Sequence, residues 1–270
     1  MTKFIIDDST PDGVINLGNE DYCATLPRDY AAMPYGSIPG VGAAEELAPK
    51  IPMEQWPDLI ADRKRKKTGL REIWRQSLIG VWNQASLRYC HSFSTGMGIA
   101  CHREQQGMHH RELSPSSIAA PITGYQNRGW YIADALKQAR NVGVATIDFV
   151  KRNTTSRADF KPGWEKDAER HKVEEWYEGR RGDVVMQGTL LLTDIGYIAG
   201  YDWWGHAIWV FDLDDVDITL PATNWNRYST PFLNSWGEQW GDGGIGALRG
   251  QRAIADSFVA VGSVRAERRA

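Results

Sequence analysis

Residues 234–241 read NSWGEQWG, inside the longer run LNSWGEQWGDGGIG over 233–246. Two tryptophans and two glycines in eight residues suit a tightly packed turn. The leading amide suits a second use, because Asn234 could hold an imidazole in one tautomer. Either use needs strands on both sides, and the flanking sequence offers them. TLLLTDIGYIAGY (189–201), WGHAIWVFDLDD (204–215), TPFLNSWG (230–237), GGIGALRG (243–250) and FVAVGSV (258–264) are short apolar runs bounded by turns. They read as antiparallel strands.

Upstream the pattern is helical. Trp56, Leu59, Ile60, Leu70, Ile73 and Trp74 recur at helical spacing across 53–76. A further helix should begin close to Cys90 and run through FSTGMGIACHREQQ, and SPSS (114–117) should cap a short one. ADALKQARN (133–141) and the charged stretch PGWEKDAERHKVEEWYEGRR (162–181) also read as helices, with GVATIDFV (143–150) extended between them. Helices lead and strands follow, so the expected class is α+β with segregated halves. The basic run RKRKK (63–67) reads as a solvated helix face, with an anionic partner as the alternative.

The first 50 residues differ from both halves. PRDYAAMPYGSIPGVG spaces proline and glycine too closely for a long helix, so this segment reads as an extended arm lying on a protein surface, or as a loose terminus. The resulting division is an arm over 1–50 and one domain over 51–270, helical to about 182 and β-rich over about 183–262.

The 270 residues are 42% hydrophobic and 24% charged with net charge −3, which offers neither a nucleic-acid nor a membrane surface. No apolar run approaches the length of a membrane span, and the N-terminus has no signal-peptide pattern. Three cysteines, Cys23, Cys90 and Cys101, cannot all pair within one chain, which points to a reduced, intracellular compartment.

Cys90 has three candidate roles: core residue, metal ligand or nucleophile. The window holding Cys90, His91, Cys101, His102, His109 and His110 invites a zinc reading. On one helix, however, Cys90 and Cys101 stand about 16 Å apart. Bonds of about 2.3 Å to one metal cannot join them, so no metal or other cofactor is expected. For a nucleophile, an imidazolium and a helix N-terminus must hold the thiolate. His206 in WWGHAIWV can supply the first, Asn234 can orient it, and Gln84 can donate to an oxyanion.

The order Gln84, Cys90, Gly205-His206-Ala207, then NSWGEQWG from Asn234, resembles the papain-like cysteine proteases. The likeness covers about residues 51–260. It implies a two-lobed fold with a helical lobe and a β-barrel-like lobe, and a thioester mechanism on peptide or protein substrates. By the same likeness Cys90 attacks, His206 moves the proton, Asn234 orients it, and Gln84 with the Cys90 N–H forms the oxyanion hole. Trp236 would cover the Asn–His bond. Gly129, in GYQNRGWY, would bind substrate backbone, and Ala207 would border the pocket for the second residue before the cut.

The departures are specific. The family's usual disulfide positions hold Leu87 and Gln126, in keeping with a reduced compartment. Arg88 and Tyr89 precede the nucleophile, His91 follows it, and Arg128 replaces the first glycine of the pair. Both arginines are positioned to crowd the substrate site, which would leave it narrowed, acidic-selective or closed. The arm is too short and too poor in helix to match the family's pro-segment. PRDYAA, IPMEQWPDLI, SPSSIAAPITGY, HKVEEWY, WWGHA and NSWG together are also similar to a papain-like group of bacteriophages and some bacteria. That likeness implies a virion-associated protein whose residues 1–50 contact other virion proteins. Two functions follow: a cysteine peptidase, or a structural protein on a protease fold with weak or no activity.

Overall fold

The computed structural model describes residues 4–16 and 25–266, so Cys23 lies outside the described residues. The arm contributes β1 (Ile5–Ile6), α1 (Asp12–Asn16), β2 (Gly42–Ala43) and α2 (Ala44–Leu47), with turns and extended chain over 25–41. The helical stretch expected over 53–76 is two helices, α3 (Trp56–Lys66) and α4 (Leu70–Gln76). Lys67 turns left-handed at φ 53° and Gly69 adopts φ 111°, which ends α3 and re-aims the chain. Arg63 and Lys64 of the basic run do not face solvent alone. Arg63 pairs with Asp194, and Lys64 reaches the buried Asp214 at 3.2 Å.

The central element is α5 (Cys90–Gln105), in which only His102, Glu104 and Gln105 escape full burial. A helix packed on all sides is a core helix, and small residues make its close approach possible. A Cβ on Gly96 would lie 2.8 Å from the Trp82 ring, and one on Gly98 would lie 3.1 Å from Trp209. Then come α6 (Ser116–Ile122), α7 (Ile132–Asn141) and α8 (Trp164–Ala168). The SPSS serines do not cap α6; Ser114 and Ser116 instead donate to the Lys151 and Arg152 carbonyls at 2.9 and 2.6 Å. Ile132, Ala135, Leu136 and Ala139 form the buried stripe of α7.

Two expected assignments change here. The helix over 162–181 exists only as α8 and one short turn, after which β3 (Val173–Gly179) runs as a strand on β9 (Ser257–Val264). The charge spacing mimicked a helix, but Val173 and Trp176 point inward from a strand that completes the ladder of β9. Conversely, the TLLL run belongs to α9 (Val184–Leu192), started by Asp183, whose carboxylate accepts the Met186 N–H at 3.0 Å. A short apolar run carries no period that separates a buried helix from a strand. The 143–150 segment is extended only as far as Thr146, which bridges to Leu113.

The remaining strands are β4 (Tyr197–Tyr201), β5 (His206–Val210), β6 (Asp214–Asp215), β7 (Tyr228–Leu233) and β8 (Ile245–Arg249). One sheet runs β1-β8-β7-β5-β4-β9-β3-β2, with β6 on β7. The sheet is open and does not close into the expected barrel. Its inner pairs are antiparallel, while β1 joins β8 and β2 joins β3 in parallel. Both outermost strands therefore come from the arm, which covers edges that would otherwise leave backbone groups unpaired. One buried cluster surrounds α5 through Phe93, Met97, Leu136 and Trp209, and a second gathers Trp56, Leu190, Tyr197 and Trp240.

Candidate active site

Cys90 is the first residue of α5, and its side chain is fully buried. At this place the helix N–H groups and macrodipole favour a negative sulfur. His206 opens β5, while Asn234 directly follows β7, the strand beside it. His206 Nε2 donates to Asn234 Oδ1 at 2.8 Å, and the same oxygen accepts the Ser235 N–H at 2.8 Å, which fixes the amide plane. His206 also hydrogen-bonds the Cys90 thiol. Burial by itself pushes the Cys90 thiol up. The charge and hydrogen bond of His206, with a smaller pull from His91, outweigh burial and hold the thiol well below its ordinary value.

Two indoles pack on adjacent sides of the imidazole. Trp236 lies 4.6 Å from the His206 ring and Trp204 lies 4.7 Å from it, centroid to centroid. Trp204 is itself wedged edge-on against Trp236 and stacked on Trp203. Water is kept from the His206–Asn234 bond, and low polarity strengthens it. Trp204 was not singled out in the sequence. Its signal was its place two residues before the histidine.

Gln84 is fully buried, and its backbone N–H donates to Ser235 O at 2.7 Å. The Ser235 hydroxyl donates to Gln84 Oε1, and Gly237 N–H donates to Trp82 O at 3.1 Å. The Gln84 loop and the Asn234 loop are thus stitched together. Gln84 Nε2 donates one hydrogen to Leu87 O at 2.6 Å, which sets the direction of the amide. Asn127 ties the same loop to the Gly129 segment, accepting the Arg88 N–H at 2.7 Å and donating to Ser86 O at 3.0 Å. Ala207 is buried beside His206.

The arginines do not close the site. Arg88 and Arg128 are exposed, and Arg128 stacks over Trp130 at 4.4 Å. The cover is the arm, despite its shortness. Thr25 Oγ1 stands 2.9 Å from Cys90 Sγ, Thr25 N–H donates to Gly205 O at 2.8 Å, and Leu26 N–H reaches Trp130 O at 3.3 Å. On the far side, Trp204 Nε1 donates to Asn16 Oδ1 at 2.7 Å and Trp240 Nε1 to Ile15 O at 2.8 Å, which seats α1 on the tryptophan cluster. Residues before and after the thiol are therefore both fastened to the domain. Sequence reasoning had no means of finding Thr25, since a threonine in a glycine- and proline-rich arm carries no pattern.

His91 is buried behind Tyr89 and does not line the surface. Cys101 is an unpaired, buried thiol pushed far up by burial. Among the described residues, no group of three or more His, Cys, Asp or Glu side chains could hold a metal ion. Nor is any described helix long and apolar enough to cross a membrane.

A helix-mounted thiol, a strand-mounted imidazole and an orienting amide on this framework define the class: a papain-like cysteine protease fold. Solved structures agree. The chain is similar to xylellain, a cysteine protease from Xylella fastidiosa, at TM-score 0.53 and 17% identity over 72% of this chain and 85% of that one. It is also similar to procathepsin B from Trypanosoma congolense, at TM-score 0.58 and 14% identity over 90% of this chain and 87% of that one. A digestive procathepsin L 3 of Tenebrio molitor larval midgut matches at TM-score 0.55 and 16% identity, covering 69% and 67%. No family profile and no curated protein matches the sequence.

Proposed function

We propose that the chain is a papain-like cysteine peptidase that cleaves peptide bonds through a Cys90 thioester and is held latent by its own residues 25–38. The observation that carries this reading is the buried Cys90–His206–Asn234 line, with its 2.8 Å imidazole–amide bond and lowered thiol. Cys90 Sγ attacks the substrate carbonyl carbon. The oxyanion that forms is met by the Cys90 N–H and the Gln84 amide. The His206 imidazolium gives its proton to the leaving amine, the C–N bond breaks, and the acyl group remains on sulfur. Water, deprotonated by His206, then releases the acid. Arg128, Gly129, Ala207 and Arg88 border the course of the substrate, and Trp236 with Trp204 shields the imidazole.

The Thr25 contact on Cys90 also suits a second reading, a structural protein that keeps its cleft permanently shut. Packing alone, however, gives no use for a lowered thiol beside an oriented imidazole. The narrower assignment, carriage in a phage particle with residues 1–50 against other virion proteins, rests on the sequence likeness alone. Placement in a reduced compartment rests on the odd count of three cysteines and on Leu87 and Gln126 at the family's disulfide positions. Incubating the full chain with a peptidyl acyloxymethyl ketone tests the main reading. Adduct on Cys90, lost in His206→Ala, supports the peptidase, whereas no adduct at any pH supports the structural role.

A further inference from the structure

Glu178 lies in β3, opposite Val259 of β9, and is 1% exposed. A carboxylate so deeply placed must be paired, because leaving it alone in a dry site is strongly unfavourable. Its partners come from residues 25–38, the strap that lies over Cys90. The Arg28 guanidinium forms an ion pair with it, and the Gly36 N–H donates to Oε2 at 3.0 Å. Arg28 is itself partly buried, and it stitches the turn of the strap by donating to Met33 O at 2.9 Å and Pro34 O at 2.7 Å. Between Cys90 and this pair, Leu26, Met33 and Ile38 of the strap face Tyr131, Ile132, Phe258 and Val259 across a narrow apolar groove. Moving away from the thiol, the strap thus presents Thr25 to Cys90 and Arg28 to Glu178, with the apolar groove between the two contacts.

We propose that Glu178 is a specificity determinant of the peptidase, selecting an arginine or lysine in the polypeptide that displaces the strap, with an apolar residue passing over the groove walled by Tyr131, Ile132 and Val259. This rests on the peptidase reading above. A chain that replaces the strap without a cation leaves Glu178 buried and unpaired, whereas one carrying a guanidinium restores the pair. The strap is therefore a template for the ligand in side-chain chemistry. The discrimination follows from the asymmetry between a paired and a stranded buried charge, which amounts to about 10- to 100-fold between a cationic and a neutral side chain.

The test uses the full chain with Arg28→Ala, which vacates the guanidinium site and loosens the strap. Acyloxymethyl ketone peptides with leucine fixed beside the reactive residue carry Arg, Gln or Glu at each of the three positions beyond it. The second-order rate of Cys90 labelling is read by mass spectrometry. At one position the arginine probe should exceed the glutamine probe by about 10- to 100-fold. That preference should fall to a few-fold or less when Glu178→Gln is added. If Arg28→Ala does not fold, the same ratio is read at slower rates in the wild type against Glu178→Gln alone. Equal labelling by all three probes, with Cys90 still alkylated by iodoacetamide below pH 7, overturns the Glu178 proposal and leaves the peptidase reading standing. Failure of every probe, together with alkylation only at the pH of an ordinary thiol, overturns both.

Discussion

Two walls meet at the Cys90 sulfur, and they are built differently. The His206 wall is core: His206, Asn234, Ser235 and Gln84 are essentially inaccessible, Trp204 and Trp236 pack on adjacent sides of the ring, and the strands beneath are inner members of the sheet. The strap wall resembles a bound peptide. Leu26 remains 39% exposed, and two backbone hydrogen bonds, one ion pair and a few side-chain contacts hold residues 25–36 in place. Segments with few buried contacts open at small free-energy cost, whereas packed strands open only with global unfolding. The chemistry is fixed and its cover is loose. Such a division suits latency better than it suits a purely structural part.

The largest expected effect breaks the rigid wall. His206→Ala removes the charge that opposes burial, so the Cys90 thiol should move above its ordinary value. Peptidyl-probe labelling near pH 7 should fall by about 1,000-fold or more. Asn234→Ala leaves the imidazole but frees its ring, and the fall should be smaller, about 100-fold, with the pH midpoint of labelling moved upward. Both are read as second-order rates against pH.

The loose wall gives the opposite sign. Arg28→Ala should raise the rate of Cys90 labelling by roughly 10-fold through a larger open population, since a shift of about 1.4 kcal/mol in that equilibrium is tenfold. The pH midpoint should stay unchanged, because Arg28 is not among the groups that tune the thiol. A remote core substitution should move neither quantity. Gly188→Ala places a Cβ 2.3 Å from the Trp56 ring and should lower stability by about 1–3 kcal/mol in a urea titration, while the Cys90 pH midpoint holds.

How legible all this was in the sequence depends on how local each signal was. NSWGEQWG and the Cys90 segment carried theirs in a few adjacent residues, and the order Gln84, Cys90, His206, Asn234 brought the rest of the constellation together. The helix read over 162–181 failed because charge spacing cannot report the ladder that β9 offers to Val173–Gly179. The arm was legible as extended chain, but its destination was not. That Thr25 meets Cys90 across 65 positions and Arg28 meets Glu178 across 150 depends on where α5 and β3 fall in space. Neither residue belongs to a motif. The open sheet was missed for a related reason: its edge strands β1 and β2 are two residues long, too short to show a period.

The most direct measurement is the iodoacetamide alkylation rate of Cys90 against pH in full-length Arg28→Ala, beside the same chain carrying His206→Ala. A thiolate held by His206 predicts labelling that is already fast well below pH 7 in the first protein and displaced above about pH 8.5 in the second. Coincident profiles, both rising near pH 8.5 or higher, would contradict the account, because Cys90 would then be an ordinary buried thiol beneath an arm with nothing to restrain.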